Sequence, residues 1–162
     1  MAAERARVAI LMGSKNDWEV MKAAQQALED LQIASDARVM SAHRTPERVI
    51  RYVTAAEQEG IEVLICGAGA AAHLAGVVAA HTQLPVLGVP IGSSELQGLD
   101  ALLATVQMPG GIPVATFAIG KAGAKNAGLF AAAIIARSDP AVHERLAKYR
   151  EAQSAAVPER PY

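Results

Sequence analysis

A three-layer α/β/α sandwich around a central parallel sheet, with an extra C-terminal helix, is the fold the sequence predicts. Three observations carry it. Short apolar runs alternate with helix-like segments along most of the chain, and unbroken apolarity suits parallel strands covered on both faces. The glycine-rich and polar stretches GSKND, SAHRTP, GAGAAAH and GSSELQG each follow one of those runs, where the carboxyl ends of parallel strands open onto ligand loops. A chain of 162 residues is one domain's length, able to bury about 70% of its unfolded surface without staples.

Val8 to Met12 (VAILM) is the first strand, ended by Gly13. Ser14 and Asp17 have capping-box spacing, and Trp18, Met21, Ala24, Leu28 and Leu31 recur at helical spacing behind them. Ala37 to Ser41 reads as strand two, and Thr45-Pro46 as the cap and first position of the next helix. Ile61 to Cys66 is strand three, followed by a small-residue helix, and Leu84 to Val89 is strand four. Ser94 and Gln97 show capping spacing ahead of Leu96, Leu99, Leu102 and Leu103. Pro113 to Ile119 is the fifth strand, with proline tolerable only at its start, and Gly120 to Ala136 a helix with small faces. Asp139-Pro140 caps a last helix striped by Val142, Leu146 and Tyr149, expected to pack on a neighbouring subunit. The domain is expected to span residues 1–153, with 154–162 an arm or disordered tail. Right-handed crossovers between such units give a flavodoxin-like or Rossmann-like arrangement.

Fifteen basic against sixteen acidic residues leave a formal charge of −1, and no Lys/Arg block builds a nucleic-acid or lipid-facing field. The one cysteine, Cys66, lies in the apolar run VLIC, which suits a buried small hydrophobe in a reducing, cytoplasmic setting. The N-terminus lacks a signal peptide's apolar stretch and cleavage site. Val63 to Ala80 carries no formal charge, yet its glycines and central His73 suit strand, turn and helix better than a membrane span. Abundant alanine and glycine with few aromatics leave apolar surface to hide, so a homo-oligomer is expected.

Chemistry is expected on the loops after the strands. Gly13 and Ser14 at a helix start favour a phosphate, and Asp17 suits a sugar hydroxyl; equally, Ser14 and Asp17 serve as a helix cap. In SAHRTP, Ser41, His43 and Arg44 lie together. Arginine grips phosphate oxygens in a fork, and histidine is the side chain that titrates near neutrality. His73 follows a Gly/Ala run that lets backbone close on a flat ligand; a ligand-side role and a structural one stand level. His81 and His143 read as structural or solvent-facing. GxGxxG, GxxxxGK[ST] and GxSxG are missing, and no cluster has zinc or magnesium spacing, so neither a cofactor nor a metal is expected.

The blocks MGSKNDW, VMSAHRTPERV, ICGAGAAAHLAG, LPVLGVPI, VQMPGGIPV and AIGKAGAKNAG occur in this order from about Val8 to near Arg150. Together they resemble the class I form of the PurE family, the N5-carboxyaminoimidazole ribonucleotide mutases of purine biosynthesis. The resemblance implies a cofactor-free, metal-free isomerase acting on a phosphorylated aminoimidazole ribotide and assembled as an octamer with shared active sites. By the same resemblance His43 is the general acid/base. Gly13, Ser14, Asp17, Ser41, Arg44, Gly69, Ala70, Ala71, His73 and Leu74 are substrate-binding, and Met108 to Pro113 is a loop that closes the site. The family's GAGGAAHLPG reads GAGAAAHLAG here, with Ala70 for glycine and Ala75 for proline. Ala101 and Ala115 stand where serine and glycine are common. The alternatives left open are an aminoimidazole ribonucleotide carboxylase using free carbon dioxide and a catalytically weakened nucleotide-binding homologue.

Overall fold

The computed structural model describes residues 5–161. In chain order the elements are β1 (Val8–Met12), α1 (Trp18–Asp30), β2 (Ser35–Val39), α2 (Pro46–Ala56), β3 (Val63–Gly69), α3 (Leu74–Ala79), β4 (Val86–Ile91), α4 (Leu99–Val106), β5 (Ala115–Thr116), α5 (Lys121–Ile135) and α6 (Pro140–Ala155). All strand pairings are parallel, in the order β2-β1-β3-β4-β5. This is the flavodoxin-like order, with its switch point between β1 and β3.

Period-two alternation splits β1 between two cores. Val8, Ile10 and Met12 pack with α1, α5 and α6, while Ala9 and Leu11 pack with α2 and α3. Every residue of β1 is buried, which explains its unbroken apolarity. On the first face α1 and α5 pack closely because Gly128 lies over the α1 backbone; a Cβ there would stand 2.7 Å from the Ala24 carbonyl oxygen.

Several expected boundaries move. Strand two begins at Ser35 and ends at Val39, and Met40 N–H then donates to the Met12 carbonyl at 2.8 Å as the chain turns away. Strand three starts at Val63 and runs on through Gly69, because Ala68 and Gly69 continue the ladder against Pro90 and Ile91. Residues that read as turn are strand. Strand four correspondingly covers Val86 to Ile91. Strand five shrinks to Ala115–Thr116; beyond it only isolated bonds follow β4, from Phe117 N–H to the Gly88 carbonyl and from Gly120 N–H to that of Pro90. β4 is nearly an edge there, which accommodates Pro90.

Two expected caps do other work. Thr45 Oγ1 makes no capping bond; it accepts from Ser41 N–H at 2.9 Å and donates to the Ser41 carbonyl at 3.1 Å, closing the SAHRT loop on itself. Ser94 Oγ accepts from Leu96 N–H at 3.2 Å and closes a turn, and α4 starts only after Gly98, whose φ is +94°. The leucines of that region do not all face inward: Leu96, Leu99, Leu103 and Val106 remain exposed.

Asp139 caps α6, accepting from Ala141 and Val142 N–H. The helix docks part of its stripe on its own chain. Val142 and Leu146 enter the α1/α5 core, and Arg145 Nε donates to the Leu31 carbonyl at 2.6 Å. Arg7 holds Glu62 and Asp139 at 2.5 and 2.6 Å, joining the entrances of β1 and β3 to the start of α6. α6 runs to Ala155, so the first two residues assigned to the tail are helical, and residues 156–161 are exposed. Val63 to Ala80 folds as β3, a loop and α3, and among the described residues no helix is long and apolar enough to cross a membrane.

Candidate active site

A cleft of about 370 Å³ opens at the switch point, beyond the carboxyl ends of β1 and β3. Gly13, Ser14 and Asp17 line it from the β1 loop, Ser41, His43 and Arg44 from the β2 loop, and Gly69 at the end of β3, Ala70 and Ala71 in the loop after it and Leu74 at the start of α3 from the third side. These residues are spread from position 13 to position 74 of the sequence, and the parallel topology brings them to one rim because every β-to-α loop emerges on the same side of the sheet.

The first loop is both cap and wall. Ser14 Oγ accepts from Asn16 N–H at 3.2 Å, and Asp17 Oδ2 accepts from Ser14 N–H at 2.9 Å, completing a capping box. Both side chains nevertheless line the cleft. The cap and ligand readings of this pair are therefore compatible. Burial pushes the Asp17 carboxyl above its ordinary value, against the smaller pull of the Ser14 N–H and the nearby Arg44.

Arg44 joins the two loops. Its Nη2 donates to the Gly13 carbonyl at 3.0 Å, and its N–H donates to Ser41 Oγ at 3.2 Å. The guanidinium is thus held across the β1 loop with donors to spare, and a planar fork with five N–H groups suits a phosphate. Across the floor, Gly69 and Ala70 keep the wall low. Ala70 sits at φ +49°, a left-handed conformation costly for any residue with a Cβ.

His73 is not among the residues that line the cleft, but it meets His43. His43 Nε2 and His73 Nδ1 lie 2.8 Å apart, with the rings edge to face at 4.9 Å between centroids. His81, just beyond α3, is tied back to it, Nδ1 to the Val77 carbonyl at 2.8 Å, and His143 is exposed on α6. Cys66 is buried in the sheet, and that burial drives its thiol pKa upward; it faces the α2/α3 core. Among the described residues no group of three or more His, Cys, Asp or Glu is placed to hold a metal ion.

Three lining residues escaped the sequence reading: Ala42, Ala68 and Ser93. Ser93 belongs to the loop GSSELQG, whose position after a strand was a visible signal, but nothing in its spacing tells which serine turns inward. Ala42 and Ala68 carry no chemical signal. Met108 to Pro113, expected over the site, contributes nothing to the lining of its own chain's cleft; Met108 instead lies beside Gly76 of α3.

The AIR carboxylase family model matches residues 7–156. The N5-carboxyaminoimidazole ribonucleotide mutase of Brucella melitensis is 56% identical over 154 residues, covering 95% of this chain and 95% of its own. That of Escherichia coli K12 is 53% identical over 156 residues, covering 96% and 92%. Among solved structures, Treponema denticola PurE superposes with a TM-score of 0.81 at 28% identity, over 91% of each chain. Sheet order, the loops that build the cleft and these likenesses agree, and the chain belongs to the AIR carboxylase family, PurE.

Proposed function

We propose that this chain is an N5-carboxyaminoimidazole ribonucleotide mutase of purine biosynthesis, acting in the cytoplasm. The observation that carries the residue assignments is the convergence of Arg44, Ser14 and Asp17 with the His43 imidazole in one cleft. The first three suit a ribose 5-phosphate, and the imidazole stands ready at the same cavity for a flat ring.

The reaction moves a carboxyl group from the exocyclic nitrogen N5 to ring carbon C4. The N–C bond of the carbamate breaks, N5 takes up a proton, and carbon dioxide is released inside the cleft. C4 attacks it, a C–C bond forms, and the C4 proton leaves so that the ring regains aromaticity. One proton is taken up and one is given back, so a single imidazole, His43, returns to its starting state. Holding the phosphate keeps the ring beside the trapped carbon dioxide, which converts the second step into an intramolecular one.

The chain is proposed to assemble as an octamer whose clefts are completed by neighbours. Leu96, Leu99, Leu103 and Val106 form an exposed apolar face along and beside α4, more than scattered single residues would present. His43, Arg44, Ala70 and Ser93 are exposed in the single chain, which leaves room for a second chain to close over them. Sedimentation measures the assembly directly.

Two substrates offered separately test the activity. N5-carboxyaminoimidazole ribonucleotide should be consumed without added bicarbonate. Consumption of aminoimidazole ribonucleotide with bicarbonate in its place would make the chain a carboxylase, and consumption of neither would end the enzymatic assignment.

A further inference from the structure

Arg44 has a second side. Away from the catalytic cleft, a groove of about 420 Å³ is lined by Gly13, Ser14, Lys15, Val39, Met40, Ser41, Arg44, Thr45 and Arg48. It shares Gly13, Ser14, Ser41 and Arg44 with the cleft, so the two cavities meet along that wall. Lys15, Arg44 and Arg48 supply three cations to the groove, and no carboxylate lines it. None of the three is in an ion pair: the pairs among the described residues use Arg7, Lys22, Arg38 and Lys148. Three cations converging on one groove with no carboxylate in its lining, in a chain whose formal charge is only −1, make a local positive field.

We propose that this groove is a capture subsite for a phosphomonoester dianion, where the phosphate of the incoming ribotide rests before passing Arg44 into the cleft. The assignment rests on the ribotide substrate proposed above. Lys15 and Arg48 act before the chemistry: they raise the local concentration of substrate and take no part in the carboxyl transfer. Their contribution therefore belongs in kcat/KM and falls with salt, because charges on an open surface are screened beyond about 8–10 Å at 0.1–0.15 M ionic strength.

The test is a salt series of kcat/KM for the parent and for a variant carrying Lys15→Gln and Arg48→Gln. At about 20 mM salt the variant should lose about fivefold or more in kcat/KM, converging on the parent near 0.5 M, with kcat within about twofold throughout. A control with Lys22→Gln and Lys148→Gln removes the same net charge elsewhere and should stay close to the parent. Matching melting curves exclude misfolding as the cause of any loss. Calorimetric titration of ribose 5-phosphate, which needs no turnover, should show the same salt-dependent weakening, so the subsite remains testable even in a chain found to lack mutase activity. Unchanged kcat/KM and unchanged ribose 5-phosphate affinity in the double variant, or an equal loss in the control, would overturn the subsite.

Discussion

His43 and His73 share a hydrogen bond, 2.8 Å from Nε2 of one to Nδ1 of the other. Such a bond needs one nitrogen to donate and the other to accept, so the pair carries one N–H between the two facing atoms. His73 thereby couples the tautomer of His43 to its own and holds the turn of the ring, as an orienting partner does for an imidazole that moves protons. His43→Asn should leave ribotide affinity within about tenfold, 1.4 kcal/mol, and reduce kcat by about 10²-fold or more. Turnover at the parent's rate would remove His43 from the chemistry.

On the proposed mechanism His73 is a positioning residue, and its loss should look different from a loss of fold. His73→Phe keeps a ring and removes the nitrogen. It should lower kcat by about tenfold, the low end of general acid/base effects, while KM stays within about threefold. His73→Gln, which retains a polar terminus, should recover part of kcat. A fall in KM-side binding with kcat intact, or no recovery with glutamine, would make the contact merely structural.

Gly69 is glycine because Ser93 occupies the space a side chain would need. A Cβ there would stand 2.9 Å from Ser93 Cβ and overlap its hydroxyl. Gly69→Ala should push the β4 loop outward and weaken ribose 5-phosphate or ribotide binding. Pairing it with Ser93→Gly should restore most of the affinity, measured by titration. Failure of the second change to help would locate the damage in the β3 backbone, whose neighbour Ile91 O lies 3.0 Å from the same point.

Ala70, by contrast, is a residue in a glycine's conformation. Its φ of +49° costs about 1–2 kcal/mol for a side chain, of which glycine's greater unfolded-state freedom takes back about 0.4–1 kcal/mol. Ala70→Gly should therefore raise the unfolding free energy by up to about 1.6 kcal/mol in urea titration. A loss of stability of that size would mean that the methyl group contributes packing that outweighs its strain.

The layers and the strand-to-loop logic were legible because apolar runs and turn residues mark them directly. Boundaries were less so. Gly67, Ala68 and Gly69 look like turn in sequence, yet the ladder to β4 continues through them, since small residues there make room for Met21 and Ser93. Pro113 to Ile119 has strand composition, but at a sheet edge only two of its residues keep a regular register. In the site, charged and titratable side chains could be named in advance, because their chemistry limits their uses. Ala42 and Ala68 could not, since they contribute only shape. The His43–His73 contact joins residues thirty positions apart, and spacing along the chain says nothing about which side of a rim a loop folds toward.

Asp17 sets a pH dependence whose sign is fixed by burial. Its folded pKa lies above the ordinary aspartate value of 3.8, chiefly because the charged form is desolvated. In the window between 3.8 and the raised value the folded state binds more protons than the unfolded one, so this group's contribution to stability falls as pH rises through it. Asp17→Asn removes the titration while keeping an oxygen to accept from Ser14 N–H. The variant should gain stability relative to the parent above the window, and the gain should shrink steadily as pH is lowered into it. Chemical denaturation of both proteins from pH 7 to pH 4 measures the difference directly, with the other carboxylates cancelling. A difference that is flat across that range, or that grows toward acid, would mean that the hydrogen bond and the Arg44 charge outweigh desolvation.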